Sequence, residues 1–361
     1  MNDSVVRFKP SVAVVNLGNS ALEFFETNER RSKRLSISAD SARSIIALLN
    51  GRRTVAQVWA ETSGYDKGEF IEFIRFLVTE RFAIEVDAEY PAAMLLKFGR
   101  LVNFLEAYAT TTSSVIRRFD HIQSSAVLII GCGGVGSWVA KGLAAVGAGE
   151  IWLVDDDVIE ASNLNRQTGY GLADIGRPKA EVLKEKLHAA FGANVRSVLC
   201  RIRSIQDMEQ LRSGFDLVVN CADEPSVDAT SLIVSNYCLS RGVAHIIGGG
   251  YNLHLTLAGQ LVVPGKTACF NCFSNYFSSV NDSEVFGFRK LNRKRKIGSF
   301  SALCSFTASL AINNSFRYLA GVEIDKINGG NRRYEFSLSS LDFSSLEITP
   351  EYRCGSCGWP G

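Results

Sequence analysis

Residues 126–136 read Ala-Val-Leu-Ile-Ile-Gly-Cys-Gly-Gly-Val-Gly. A short unbroken apolar run that meets glycines at once predicts a buried parallel strand, a tight turn and the first turn of a helix. Residues 137–147 (SWVAKGLAAVG) continue the helix, with Val139, Leu143 and Val146 on one face and Gly147 as its stop. Strand, glycines and helix N-terminus make an anion site, because a backbone without Cβ atoms approaches a phosphate closely and the free N–H groups of the first turn point at it. The stretch therefore predicts a phosphorylated ligand.

Downstream the chain alternates. Strand patterns at 151–154, 195–200, 217–220 and 244–247 are separated by helical patterns at 179–190 and 229–241. That alternation predicts a doubly wound, mostly parallel α/β sheet, a Rossmann-like domain. Residues 257–265, 332–338 and 341–348 read instead as antiparallel strands near the C-terminus.

Upstream, residues 5–37 hold three runs of strand character (VVRFKPSVAVVN, ALEFFET and RLSIS). Helical patterns follow at 39–50, at 55–63 with Thr54 as N-cap, and at 69–80, where Phe70, Phe73, Ile74 and Leu77 share a face. A last strand at 82–86 closes a winged-helix-like layout over residues 1–86. Such a layout often binds DNA, yet its third helix carries Glu69, Glu72 and Glu80 against a single Arg75, the wrong sign for phosphate contact. Nucleic acid is therefore not expected as a partner. With the phrase Leu-Leu-Asn-Gly-Arg-Arg-Thr at 48–54, the order of elements resembles the PqqD-like peptide-recognition domain of enzymes that modify ribosomal peptides. That resemblance implies a leader peptide bound as an added strand by residues 1–86; a packing or dimerisation domain is the plainer alternative. Residues 87–125 read as a helical linker and dimerisation segment.

Composition narrows the setting. The chain has 361 residues and a net charge of +2, with no apolar run near the roughly 20 residues needed to span a bilayer and no signal-peptide core in MNDSVVRFKP. A cytoplasmic protein without membrane partners is expected. Nine cysteines in a reducing compartment favour metal ligation or burial over disulfides.

The glycine fingerprint alone suits any dinucleotide enzyme, and Asp155, 24 residues after Gly131, suits a ribose hydroxyl in a dehydrogenase equally well. The sequel discriminates: LVDDDVIEASNLNRQ at 153–167, IGRPK at 175–179 and NCAD at 220–223. Together these motifs resemble the ThiF/MoeB/HesA superfamily, bacterial relatives of ubiquitin-activating enzymes, over residues 126–361. The resemblance implies ATP-dependent adenylation of a carboxylate. It places the phosphate loop at Gly131, Gly133 and Gly136, the ribose acid at Asp155, and the D-x-D…N-x-x-R-Q pattern at Asp155, Asp157, Asn163, Arg166 and Gln167. It assigns Lys179 to the phosphates and Asp223 to magnesium. It also implies a homodimer in which a partner's arginine completes the site, Arg100 being the best match and Arg117 and Arg118 its rivals.

Two C-x-x-C pairs, Cys269 with Cys272 and Cys354 with Cys357, supply four thiolates for a closed, structural zinc site. Of the other cysteines, Cys132, Cys200, Cys221 and Cys238 read as small core residues, and Cys304, just beyond a crossover at 273–303, is a candidate nucleophile. Residues 249–252 (GGYN) and 261–269 (LVVPGKTAC) resemble the peptide-modifying members of the superfamily, the MccB (microcin C) and PaaA (pantocin) type. Six basic residues within 289–296 read as a lid for an acidic substrate, which favours a glutamate side chain over a peptide C-terminus. The expected function is activation of a carboxylate on a ribosomal precursor peptide, leading to dehydration and cyclisation. The alternatives are adenylation of a peptide C-terminus or a ubiquitin-like sulfur carrier, and, in another class, an NAD-dependent or non-catalytic peptide-binding protein.

Overall fold

The computed structural model describes residues 1–18, 21–62, 66–247, 250–257, 259–280, 298–324, 327, 331–349 and 354–357. The basic stretch at 289–296 and Gly249 lie outside the described residues. The chain divides into two compact units, Met1–Asp120 and His121–Gly361.

The first unit contains β1 (Val5–Phe8), β2 (Val12–Gly18), β3 (Ala21–Glu26), β4 (Arg31–Ser36), α1 (Ala39–Leu48), β5 (Asn50–Thr54), α2 (Val55–Glu61), α3 (Lys67–Thr79), β6 (Ala83–Glu85) and α4 (Ala92–Leu105), followed in the chain by α5 (Thr112–Ser124). The strands form two antiparallel sheets, β5-β1-β6 and β2-β3-β4. The run VVRFKPSVAVVN, read as one, is divided between them. Pro10 lacks the N–H a ladder needs, and the buried Lys9 turns inward to donate to the carbonyls of Glu106 and Ala109 at 2.6 and 3.1 Å. Nor does β5 show in the pattern: Asn-Gly-Arg-Arg-Thr has no apolar alternation, and it is a strand because it pairs with β1 (Val5↔Thr54, Arg7↔Asn50).

The helices follow their sequence signals. Thr54 caps α2 with a reciprocal Gln57 contact. Asp66 caps α3, and Phe70, Phe73, Ile74 and Leu77 are all buried. They join a core in which Phe24 and Phe82 stack at 5.5 Å.

In the second unit, β7 (Ala126–Ile130) leads to α6 (Gly134–Ala145), β8 (Glu150–Val154), α7 (Lys179–Phe191), β9 (Val195–Val198), α8 (Ile205–Glu209), β10 (Leu217–Asn220), α9 (Val227–Arg241) and β11 (Ala244–Ile247). Three short strands come next, β12 (Gly250–Asn252), β13 (Leu255–Leu257) and β14 (Gln260–Val262); then α10 (Phe270–Val280), α11 (Ser301–Leu319), β15 (Arg332–Ser337) and β16 (Asp342–Glu347). The main sheet has the order β14-β11-β10-β7-β8-β9. Its neighbours from β11 to β9 are parallel, and β14 joins antiparallel. Strand order reverses between β7 and β10, the switch point that opens a crevice at the carboxyl ends of a Rossmann-like sheet. A second, antiparallel sheet runs β12-β13-β15-β16. The run at 257–265 is therefore not one strand: Leu257 ends β13 in the second sheet, while β14 belongs to the first.

The 19-residue α11 was not read from the sequence. It packs on α6, where Ile312 fills the space above Gly142. Its buried face includes Thr307, Asn314 and Ser315, so hydropathy hides the 3.6-residue period. Thr307 and Ser315 donate back to carbonyls one turn earlier, and Asn314 donates to Gly259 O at 3.1 Å, which makes their burial tolerable.

One buried group carries a pH consequence. His245 on β11 is fully enclosed, with Nδ1 3.2 Å from Val243 O and no partner for Nε2 among the described residues, and burial lowers its pKa to about 4. The unfolded chain accepts this proton near the ordinary value of 6.5, so it binds more protons than the native state between the two values. Stability should therefore fall as pH drops through that window, by about 2 kcal/mol at about pH 5 from this residue. Urea unfolding of His245→Gln should show a shallower loss between about pH 7 and pH 5 than the parent; equal slopes would discount the assignment.

Candidate functional site

The glycine turn after β7 is fixed by contacts that leave no room for side chains. Gly131 has φ +89°, its N–H donates to Val154 O at 2.8 Å, and a Cβ there would lie 2.9 Å from the backbone of Cys221 and Ala222. A Cβ on Gly136 would overlap the Gly131 carbonyl oxygen. Gly133 caps α6, and a Cβ on it would have only Gln167 Nε2 nearby, at 3.8 Å, so this is where the loop faces open space.

That space is a cleft of about 1110 Å³ at the carboxyl ends of the parallel strands. Gly131, Gly133, Asp155, Asp157, Asn163, Arg166, Gln167, Lys179 and Asp223 all line it, whereas Gly136 lies behind the loop as a packing residue. Asp155 Oδ2 accepts the Cys132 N–H at 2.6 Å and Oδ1 the Asp157 N–H at 2.7 Å. Burial raises the pKa of this carboxyl, outweighing the two N–H donors. Lys179 begins α7. Its backbone N–H donates to Asp157 O, and its buried Nζ meets Asp157 Oδ2 at 2.8 Å, so the lysine is held at the cleft floor.

Asn163 closes a one-turn 3-10 helix by accepting the Glu160 N–H. Arg166 donates to Ser162 O at 3.0 Å and Asn165 Oδ1 at 3.4 Å; among the described residues no carboxylate holds it. Gln167 is buried, and its Oε1 has no partner among the described residues. Asp223 follows β10 on a loop that Cys221 N–H ties to Ile130 O at 2.8 Å. The carboxylate itself is exposed, and no hydrogen bond or ion pair occupies it among the described residues. Arg100 is exposed on α4 of the first unit, with Arg117 also exposed and Arg118 half-buried on α5.

Several residues in and around the cleft were not singled out as site residues from the sequence. Ser137 on the first turns of α6 is buried, and its Oγ has no partner among the described residues. Tyr170 fixes the loop by donating to Cys132 O at 2.7 Å. Ser299 and Arg201 line the cleft, as does Tyr251 of the GGYN stretch. The candidate nucleophile Cys304 is fully buried, with Sγ packed against Gly134 and 3.5 Å from Ser299 Oγ. Cys132 and Cys238 are core thiols as expected, and Cys200 and Cys221 are half-buried.

Away from the cleft, the two C-x-x-C pairs converge. Sulfur separations are 3.8 Å for Cys269–Cys272, 3.7 Å for Cys269–Cys354 and 3.9 Å for Cys272–Cys357. Four thiolates about 2.3 Å from a tetrahedral zinc lie about 3.8 Å apart, so the donor set and spacing fit that ion. Burial raises the Cys354 thiol, but the N–H groups of Cys357 and Ser356 outweigh it and bring its pKa down to about 7.

The first unit has a groove of its own, about 240 Å³, lined by Val14, Asn16 and Leu22 of the β2-β3-β4 sheet and by Ala39, Arg43, Ile46 and Ala47 of α1. β2 is an edge strand that leaves Val14, Val15 and Leu17 exposed. The opposite edge, β4, is lined with Lys33 and Arg34, which makes it a poor strand partner.

Known proteins resemble this arrangement along the whole chain. E. coli MccB, solved with ATP and also with MccA, superposes with a TM-score of 0.79 at 22% identity, covering 98% of this chain and 99% of that one. PaaA superposes at 0.70 with 18% identity, covering 94% and 99%. At these identities the likeness is one of fold. In sequence, the chain is 36% identical over 130 residues to "Probable molybdopterin-synthase adenylyltransferase" of Porphyra purpurea, covering 36% of this chain and 33% of that one. The chain thus spans about a third of the length of that curated relative. The ThiF family pattern matches residues 111–357, from before the first core strand to the last cysteine, and this chain is a member of the ThiF family.

Proposed function

We propose that the chain is a homodimeric, zinc-stabilised enzyme that uses ATP and magnesium to adenylate a carboxylate, a glutamate side chain, on a ribosomally made precursor peptide. The observation that carries this reading is the assembly of Asp155, Arg166, Lys179 and Asp223 around the glycine loop in one cleft. The acceptor carboxylate oxygen attacks the α-phosphorus, the bond to the bridging oxygen breaks, and pyrophosphate leaves. Negative charge concentrates on the departing group, where Arg166 and Lys179 meet it. Magnesium, when bound, neutralises phosphate oxygens, and Asp223, exposed and with no other partner among the described residues, is the residue to hold it. Asp155, fixed by two N–H donors, takes the ribose hydroxyls. An amine or amide of the same peptide then displaces AMP, giving net loss of water and a ring. The partner's Arg100 completes the site in the dimer.

The peptide half rests on the first unit. An extended leader adds to the free edge of β2 and sets its side chains in the groove against α1. A precursor-modifying role also accords with the full-length likeness to MccB and PaaA. The second reading, activation of a ubiquitin-like sulfur carrier, is favoured by the similarity to the molybdopterin-synthase adenylyltransferase.

Mass spectrometry of peptides encoded beside the gene, after incubation with enzyme and ATP, distinguishes these readings. Loss of water from a glutamate-containing peptide is the expected result. A stable gain of AMP at a peptide C-terminus would replace the glutamate reading, and modification of a ubiquitin-like protein alone would overturn the peptide reading.

A further inference from the structure

Arg201 follows β9, and all three of its guanidinium nitrogens meet carboxylates. Nε lies 2.9 and 3.1 Å from the two oxygens of Asp156, Nη2 lies 3.2 Å from Asp157 Oδ1, and Nη1 lies 3.0 Å from Glu224 Oε2. Asp156 and Asp157 follow β8, whereas Glu224 follows β10. In the sheet order β10-β7-β8-β9, the strands bearing Glu224 and Arg201 are three places apart, a gap of about 14 Å at the usual strand spacing. Their side chains close that gap over the ends of β7 and β8, which carry the glycine loop and Asp155. Arg201, Asp156, Asp157 and Glu224 all line the cleft.

With every donor group engaged by carboxylates, Arg201 is not placed as a phosphate ligand, unlike Arg166. We propose that it is a positioning residue that ties the two walls of the cleft together across the bound nucleotide and slows its release. Asp157 links this tie to the phosphate end of the site, since its Oδ2 holds Lys179 at 2.8 Å while its Oδ1 holds Arg201. When Lys179 turns to a phosphate, Asp157 Oδ1 keeps its contact with Arg201, so the tie holds over an occupied cleft. This inference rests on the nucleotide half of the proposed function and is independent of the acceptor.

Release of a fluorescent ATP analogue, followed by stopped flow in the full-length protein, tests it. Arg201→Ala and isosteric Glu224→Gln should each speed release by about two- to fivefold, the range of an exposed ion pair, with capture unchanged. The double variant should do no more than the larger single one, because both remove the same contact. Arg201→Lys, with one ammonium for three carboxylates, should fall between. Raising salt from about 0.05 to 0.5 M should speed release from the parent more than from Arg201→Ala. Unchanged release in both single variants, or an effect on capture alone, overturns the tie. Failure of the parent to bind any ATP analogue overturns the nucleotide reading itself.

Discussion

Arg166→Ala is expected to lower AMP formation about 10²- to 10³-fold while the unfolding midpoint stays at its parental value. The two halves of this expectation have separate causes. Among the described residues Arg166 bonds only a carbonyl and an exposed amide, so its removal strands no buried charge there. Its contribution arises when pyrophosphate begins to leave and negative charge develops beside it. Lys179 is a poorer probe of the same chemistry, because its loss leaves Asp157 without the amine and loosens the α7 N-terminus as well. Pyrophosphate release with a peptide that gives the mass change is the measurement. Retention of more than about a tenth of the parental rate would remove Arg166 from the reaction.

Cys272→Ser is expected to abolish metal binding and to lower the unfolding temperature sharply, where the parent carries close to one zinc per chain. Structural zinc supplies about 10–16 kcal/mol to small peptides that fold only around it. A unit with its own core retains part of its stability without the ion, so the loss here is a fraction of that figure. The four sulfurs join the start of α10 to the segment beyond β16, and α11, which packs on α6 behind the glycine loop, lies between the two pairs. Elemental analysis and calorimetry on parent and variant give the answer together. Metal-free parent protein, or full zinc content in Cys272→Ser, would count against the four-thiolate site.

Much of the cleft was legible because its residues follow a strand–turn–helix in fixed order. Glycines, a carboxylate at the end of the next strand and a lysine at a helix start are local signals, and the parallel sheet brings them together by itself. Arg201 was not legible, since its meaning lies in reaching three strands across the sheet to a residue that no local pattern links to it. Ser137 was hidden for another reason: a serine at a helix start reads as ordinary until its burial and missing partner are known. In the fold, α3 and β7 were clear because their apolar period is clean. α11 was obscured by buried Thr307, Asn314 and Ser315, and β5 is a strand only because β1 offers it a ladder.

The β2-β3-β4 sheet has one charged margin and one apolar, open margin. An uncovered strand edge of this kind is a template for pairing with another copy of itself, the first step toward aggregation. A leader bound along β2, as proposed above, would therefore act as a solubility partner too. Without such an occupant the exposed Val14, Val15 and Leu17 of this margin stay bare, so supplying the two together would protect the protein from self-association.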